Sequence, residues 1–338
     1  MTLAFLYNVR HQYPDPYDSR SQIETDFDDP ATIKFIIKHF KKCGYEIIPI
    51  EANEKAYLKL YRNKGKIDLV FNFSEGIYGY DREAQIPAML EMLKIPYTGS
   101  RPLTQAIGLN KAKTKEILLA NNIATLPFQL IKNVNEKLNI QTSFPLIVKP
   151  VAQGSGAGIT NKSVVRNERQ LKEQINFIIN TFAQGALIEP FIDGREFSVA
   201  MIGNPPQILP IIEADHSLLP KEYLPLDSLE VKWIFEEQSE KNHLKCPAPM
   251  TADLKDKVEN LCHKTWQALE VRDWCRIDIR CDRQNNPYIL EINSPVGLLP
   301  PEVSMTSYMP LAAREAGIDY DSLLKLIINT ALKRYGKA

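Results

Sequence analysis

Apolar residues in this chain come as short runs, alternations and helical periods, and their order predicts most of the elements. Thr2 to Tyr7 is a short apolar run suited to a buried first strand. Asn8 to Asp28 is polar, aromatic and proline-broken, and reads as a loop able to reach a ligand. Asp29, before Pro30, caps a helix whose apolar positions Ile33, Phe35, Ile36, Ile37 and Phe40 end at Gly44. Tyr45 to Ile50 reads as a strand, Asn53 to Asn63 as a helix and Ile67 to Phe73 as a strand. This alternation predicts a parallel sheet with helical crossovers, whose ligands bind where the strands end at their carboxyl edge.

Just past that edge lies Asn72 to Gln85, a glycine-punctuated loop holding Glu75, Tyr80, Asp81, Arg82, Glu83 and Gln85. A helix runs on to Leu93, and Ile95 to Ser100 reads as a linker leaving the first domain. Asn110 to Asn121 is a helix on which Lys111, Lys113 and Lys115, taken alone, form a solvated face. Phe144 to Pro150 is a buried strand that carries Lys149 near its end. Val151 to Ile159 follows at once, and Gly154, Gly156 and Gly158 there let backbone amides approach phosphate oxygens; a flexible hairpin loop has the same composition. After a helix from Asn167 to Phe182, two strands, Ala186 to Ile192 and Arg195 to Met201, flank Asp193-Gly194 with Glu189 and Glu196 nearby. Each glutamate suits either a nucleoside contact or a surface position. Asp215 to Gln238, holding Lys232 and Trp233, has few apolar periods and reads as a lid.

A helix from Ala252 to Leu269 precedes the most informative stretch. Trp274 to Asp282 alternates, with Cys275, Ile277, Ile279 and Cys281 on one face; Pro287 to Asn293 alternates with Tyr288, Leu290 and Ile292 on one face. Asp282 to Asn286 between them has turn composition, and a turn centred on Gln284 and Asn285 sets Asp278 opposite Glu291. The other faces carry Arg276, Asp278, Arg280, Glu291 and Asn293. Two carboxylates and an amide oxygen suit a hard divalent cation shared with phosphates, although a solvated sheet face alternates in the same way. Two short helices close the chain.

At 338 residues the chain suggests two or three domains. Lysine plus arginine equal aspartate plus glutamate at 41 each, so bulk charge points to neither nucleic acid nor an anionic membrane. The five cysteines are odd in number and none has CxxC spacing, which reads as buried thiols in a reducing, cytoplasmic setting. No apolar run approaches membrane-spanning length.

Lysines for phosphate, a glycine loop, acidic nucleoside contacts and the carboxylate, carboxylate, amide set follow one another in a definite order. That order resembles the ATP-grasp ligases, specifically the D-alanine–D-alanine ligase group. The similarity is carried by Ile95-Pro-Tyr-Thr-Gly-Ser100, Phe144 to Gly158, Leu187 to Val199, Arg276-Ile-Asp278 with Leu290-Glu-Ile-Asn293, and Pro310-Leu-Ala-Ala-Arg-Glu-Ala-Gly317. The resemblance implies an α/β ATP-grasp fold: an N-terminal open parallel domain over 1–100, a central subdomain with the glycine lid over 101–187, and a C-terminal antiparallel-sheet subdomain over 188–338. It implies that Lys111 and Lys149 hold ATP phosphates and that the loop Gly154 to Gly158, with Ser155 inside it, closes over them. Glu189 and Ile192 would meet adenine, Glu196 the ribose, and Lys232 the terminal phosphate. Asp278, Glu291 and Asn293 would hold two Mg²⁺ ions, with Mn²⁺ as a substitute. Arg276 and the amide of Gly297 would stabilise an oxyanion, and a homodimer is also implied.

Departures fall on the amino-acid side. The family's glycine-rich opening, with its Ser-x-Glu-His/Arg-x-Val-Ser run, is replaced by Asn8 to Asp28. Its His-Gly-x-x-Gly-Glu-Asp-Gly loop appears as Glu75 to Arg82, with Glu75 replacing histidine and Arg82 replacing glycine. Trp233 follows the lid lysine where tyrosine is usual, and Ser294 to Glu302 departs from the Thr-Ser-Pro-Gly-Met-Thr run. Glu75, Arg82 and Trp233 are therefore the expected substrate contacts. The reading is an ATP- and Mg²⁺-dependent carboxylate–amine ligase for small amino-acid or dipeptide-like substrates, forming an amide through an acyl phosphate. A true D-alanine–D-alanine ligase is the near alternative, and a catalytically silent nucleotide-binding regulatory module is the alternative from another class.

Overall fold

The computed structural model of the chain describes residues 1–15, 18–139, 143–232 and 243–337, so Trp233 lies outside the described residues. Three sheets organise the described residues. In the first, β1 (Thr2–Tyr7), β2 (Glu46–Glu51) and β3 (Leu69–Phe73) run parallel in the order β2-β1-β3, linked by α1 (Pro30–Lys42) and α2 (Ala56–Asn63). Phe5 and Phe71 pack against Phe40 and Trp274 on one face, while Ala4 and Leu6 meet Ile50, Leu60 and Leu90 on the other. A sheet buried on both faces explains why these strands read as continuous apolar runs. The helix expected from Asn53 begins instead at Ala56, because the Asn53 side chain accepts the Lys55 amide at 3.1 Å and closes a turn first. Within the segment expected as a loop, Ser19–Glu24 forms a short 3-10 helix, and Arg10 and Asp28 close its ends by a backbone bond of 2.8 Å.

Ile95 to Ser100 is not a linker. Tyr97, Thr98 and Ser100 are buried, and Tyr97 bridges Val70 in parallel as the chain leaves α3 (Gln85–Leu93). Its small polar residues satisfy buried backbone instead of meeting water: Thr98 Oγ1 accepts the Asn72 amide at 3.0 Å. Two helices follow, α4 (Pro102–Leu109) and α5 (Lys111–Ala120), the first of them unforeseen in the sequence.

The second sheet is antiparallel: β4 (Gln129–Ile131), β5 (Leu146–Pro150), β6 (Val164–Val165) and β7 (Ala186–Pro190), in the order β4-β7-β5-β6. It is backed by Leu171, Ile175, Ile178 and Phe182 of α6 (Glu168–Phe182). The third holds β8 (Glu196–Gly203), β9 (Pro206–Ile208), β10 (Ile212–Ala214), β11 (Leu244–Lys245), β12 (Trp274–Cys281) and β13 (Pro287–Asn293), in the order β11-β10-β8-β12-β13 with β9 on β8. The helix α7 (Ala252–Ala268) covers it, and α8 (Tyr308–Glu315) and α9 (Tyr320–Arg334) join it to the first sheet. Strands β7 and β8 thus lie in different sheets, and the chain crosses between them at 191–195. Gly194 permits the crossing, since a Cβ there would stand 2.3 Å from the Cys281 carbonyl oxygen.

The hairpin β12–β13 corrects one alternation. Cys275, Ile277, Ile279 and Cys281 are fully buried as expected, and Asp278 pairs with Glu291. The turn, however, is set one residue differently: Ile279 pairs with Ile289, and a bulge between Asp278 and Ile279 restores the Asp278–Glu291 register. Ile289 and Ile292 are therefore the core residues, whereas Leu290 joins Glu291 at the cleft.

Asp273, fully buried, ties the pieces together. It accepts from the Gly99 amide at 2.8 Å, Asn204 Nδ2 at 2.7 Å, and Arg334 Nε and Nη2 at 2.9 and 2.7 Å. Asp273→Ala leaves Arg334 largely buried without its carboxylate, and we expect a loss of about 3–5 kcal/mol in urea unfolding. Asp193→Ala, which removes an exposed pair with Arg283, should cost under about 1 kcal/mol in the same experiment.

Candidate active site

A cleft opens between the second and third sheets. It is lined by Lys149, Gly154, Gly156, Glu189, Ile192, Glu196, Lys232, Asp278 and Glu291 of the expected residues, with Phe191, Leu226 and Leu290 among its apolar walls. That mixture of apolar walls with a few converging charged groups suits a nucleotide-like ligand. The connection at 191–195 supplies Phe191 and Ile192, so the change of sheet itself forms one wall.

The floor is a buried charge cluster. Glu189, fully buried on β7, is ion-paired with Lys149 of β5 at 2.6 Å and with Lys115 of α5 at 2.5 Å. Burial pushes the Glu189 carboxyl up, but the two ammonium groups outweigh it and hold the group below its ordinary range. Burial pulls Lys149 down, and Glu189 and Glu291 more than reverse that. The solvated lysine face expected on α5 is thus overturned for two of its three members. Lys113 is exposed and pairs with Glu116, but Lys111 and Lys115 are buried against the cleft, because Glu291 and Glu189 wait there as counter-charges. Lys111 Nζ lies 3.1 Å from Glu291 Oε2. Burial raises the Glu291 carboxyl, while Lys111, Lys149 and Lys232 pull it down to about 2.

On the hairpin, Asp278 accepts from Ser198 Oγ at 2.6 Å, Arg276 Nη2 at 2.8 Å and Asn293 Nδ2 at 2.9 Å. Arg276 also lies over the Tyr308 ring at 5.0 Å. Gly297 is solvent-exposed just beyond β13. Among the described residues no three His, Cys, Asp or Glu side chains gather as a metal cage. Asp278, Glu291 and Asn293 offer two carboxylates and one amide on one face, a donor set that fits a hard cation completing its shell from phosphate oxygens.

The glycine loop is held from both sides. The Gly158 amide donates to Gln22 Oε1 at 3.0 Å, Asp26 presses on Gly154, and Leu229 packs on Gly156 while its amide donates to the Ile159 carbonyl at 2.8 Å. Gly156 and Gly158 adopt φ of +76° and +73°, and Ser155, at +47°, sits exposed at the loop tip. Lys232 Nζ lies 3.1 Å from Asp227 Oδ2. Arg82 is buried and donates to the Ala152 carbonyl and to Asp26, both at 2.8 Å, so it braces the base of the loop. Glu75 and Glu83 share this region. Burial raises both carboxyls, Glu83 to about 8, with Asp26 adding to each and Arg82 opposing.

Sequence reasoning missed several residues that the fold brings here. Lys115 was masked by its place in a lysine-rich helix, and only its i+4 relation to Lys111 hinted that both lie on one face. Asp227 sits in the irregular stretch, where no periodicity marks it, yet it holds both Lys232 and the Tyr308 hydroxyl, the latter at 3.0 Å. Arg280 was on the polar face but without a role; it donates to Glu196 and, at 3.1 Å, to the Ile192 carbonyl.

Comparison with known proteins places the chain in a family. A family model described as the D-ala D-ala ligase C-terminus matches residues 103–329. An uncharacterized protein of Sinorhizobium fredii is 33% identical over 307 residues, covering 89% of this chain and 87% of its own. A protein of Pelotomaculum thermopropionicum named D-alanine–D-alanine ligase is 31% identical over 282 residues, covering 80% of this chain and 82% of its own. The structure of D-alanine–D-alanine ligase from Bacillus anthracis complexed with ATP matches with a TM-score of 0.73 at 25% identity, over 98% of each chain. With a family model spanning most of its length and that fold reproduced end to end, this chain belongs to the D-alanine–D-alanine ligase family of ATP-dependent, ATP-grasp ligases.

Proposed function

We propose that the chain joins a small amino-acid or dipeptide-like carboxylate to an amine, using ATP and Mg²⁺ and passing through an acyl phosphate. The observation that carries this reading is the convergence of Lys149, Glu189, Glu196, Lys232, Asp278 and Glu291 on one cleft beneath the glycine loop. In this reading Phe191 and Ile192 flank the adenine, Glu189 orients the lysines beside it, and Glu196 accepts from the ribose. Lys111, Lys149 and Lys232 bind the phosphates, with Lys232 exchanging Asp227 for the terminal one. Asp278, Glu291 and Asn293 would hold the cation, which neutralises phosphate charge and orients the transferring group.

A carboxylate is a poor electrophile and hydroxide a poor leaving group. Phosphorylating the carboxylate solves both, and charge on the transferring group is met by lysines already placed in a water-poor cleft. Arg276, held on Asp278, is the donor for the oxyanion formed when the amine attacks, together with the Gly297 amide. The loop from Gly154 to Gly158, with Ser155 at its tip, excludes water that would hydrolyse the acyl phosphate. Glu75, at the place of the histidine in the family motif that this loop resembles, and its neighbour Glu83, both held high by burial, favour a substrate whose ammonium group would restore their charge. Relatives named D-alanine–D-alanine ligase favour a second reading, in which both substrates are D-alanine.

Screening ADP release against D- and L-amino acids and dipeptides, with mass analysis of products, tests the reading. We expect an acceptor other than D-alanine; stimulation by D-alanine alone selects the second reading, and no stimulation by any pair removes ligase activity on this substrate class. Glu291→Gln should lower Mg²⁺-dependent turnover by about 10²-fold or more with the fold retained by circular dichroism, and near wild-type turnover would remove the metal assignment. The Glu83 carboxyl is raised from 4.5 to about 8, so its protonated form is the favoured one in the folded state. The penalty of ionising it is absent below pH 4.5 and grows toward pH 8. Glu83→Gln should therefore gain stability over wild type between pH 5 and 8, by at most roughly 1.4 kcal/mol per pH unit in thermal or urea unfolding.

A further inference from the structure

Glu196 opens β8, and the strands on either side each bring a donor to it. Arg280 of β12 is its direct cross-strand partner. On the other flank Ala214 of β10 pairs with Glu196, and His216 follows two residues later. The two side chains end on one oxygen: His216 Nε2 lies 2.9 Å from Glu196 Oε2, and Arg280 Nη1 donates to the same atom. Oε1 takes no hydrogen bond from the described residues, and Glu196 lines the cleft beside Ile192 and Leu226. A carboxylate held by two donors at one oxygen has lost its freedom to rotate, so the direction of the other oxygen is fixed before any ligand arrives.

The His216 ring is buried, its side chain 6% exposed, and its Nδ1 has no partner among the described residues. Burying an unbonded ring nitrogen is unfavourable, and an apolar side chain would fill the space without that cost. The backbone at this point does not need the imidazole either. Asp215 caps the turn through the Ser217 amide at 3.1 Å and pairs with Lys245 at 2.5 Å. What the imidazole supplies is the bond to Glu196.

We propose that His216 is a positioning residue for sugar recognition: together with Arg280 it fixes Glu196 so that the free oxygen accepts from the nucleotide's ribose hydroxyls, which makes the cleft select ribonucleotides over nucleotides lacking them. This rests on the reading of the cleft as the ATP site with Glu196 at the ribose. His216 itself touches no reacting atom, so its removal acts on nucleotide choice and not on the chemistry of transfer.

The test is calorimetric titration of the full chain with ATP and with 2′,3′-dideoxy-ATP in the same magnesium buffer. Wild type should prefer ATP by about tenfold or more, the value of one well-placed charge-assisted hydrogen bond. His216→Leu removes the donor and His216→Asn draws it back from the Nε2 position that faces Glu196, and each should weaken ATP about tenfold while leaving dideoxy-ATP within about twofold, so that the preference disappears. His216→Gln keeps an N–H for Glu196 and should keep the preference. Equal weakening of both nucleotides, or an intact preference in the Leu and Asn variants, overturns the proposal. Should the Leu variant fail to show a cooperative melt, the polar Asn variant decides. A wild type that binds both nucleotides equally overturns the Glu196 assignment and this inference with it. A preference lost in Glu196→Gln but kept in Leu and Asn at 216 leaves that assignment standing and removes His216 alone.

Discussion

The pairing of β12 with β13, offset by one residue at Leu290, is the constraint on which the site depends. In the register that the turn dictates, Asp278 would face Leu290, and Glu291 would oppose Ile277 and turn toward the apolar core. Burying that carboxylate among Cys275, Ile277 and Ile289 would be severely unfavourable. The bulge lets Ile289 and Ile292 both enter the core although they stand three positions apart, and it delivers Glu291 to the cleft beside Asp278. Sheet register and site chemistry are settled by the same irregularity.

From there the arrangement spreads through ion pairs that join separate elements. Glu291 reaches Lys111 on α5, and Lys115, one turn further along that helix, reaches Glu189 on β7, which in turn holds Lys149 on β5. The helix therefore fastens the third sheet to the second across the cleft. Buried pairs of this kind add little net stability relative to apolar residues of equal volume. Their value is geometric: they hold three cationic groups at fixed positions in a place where water is scarce.

Much of this was legible in the residues, and the exceptions share a cause. The parallel sheet, α1, α6, β5 and the apolar face of β12 follow from periodicity, Pro30 at the start of α1 and the Asn167 cap of α6, all local signals, although the Asp29 side chain makes no cap bond. The convergence of Lys149, Glu189, Glu196, Asp278 and Glu291 was approached through the order of motifs, since no local pattern links residues so far apart. Failures came where tertiary contact overrides local chemistry. Polar Thr98 and Ser100 look like linker residues, yet they are spent on buried backbone and side-chain bonds. Lys111 and Lys115 look solvated because their counter-charges lie on distant strands. The offset at Leu290 has no sequence mark at all, as leucine suits either face, and Asp227, Arg280 and His216 acquire meaning only from the partners that the fold gives them.

The cations in and beside the cleft already have carboxylates: Lys149 and Lys115 share Glu189, Lys111 has Glu291, Lys232 has Asp227, Arg276 has Asp278 and Arg280 has Glu196. The resting cleft is therefore close to electrically balanced, despite its lysines. A bare anion gains little by entering, because it must break an existing pair for every contact that it makes. On the proposed reading, a divalent ion held by Asp278 and Glu291 would compensate these carboxylates and leave Lys111 available to a phosphate. On that reading nucleotide and metal would strengthen each other's binding by equal factors, as thermodynamic reciprocity requires. Discrimination against inorganic phosphate and other abundant simple anions would then reside in the charge pairing of the protein itself, before any shape is read.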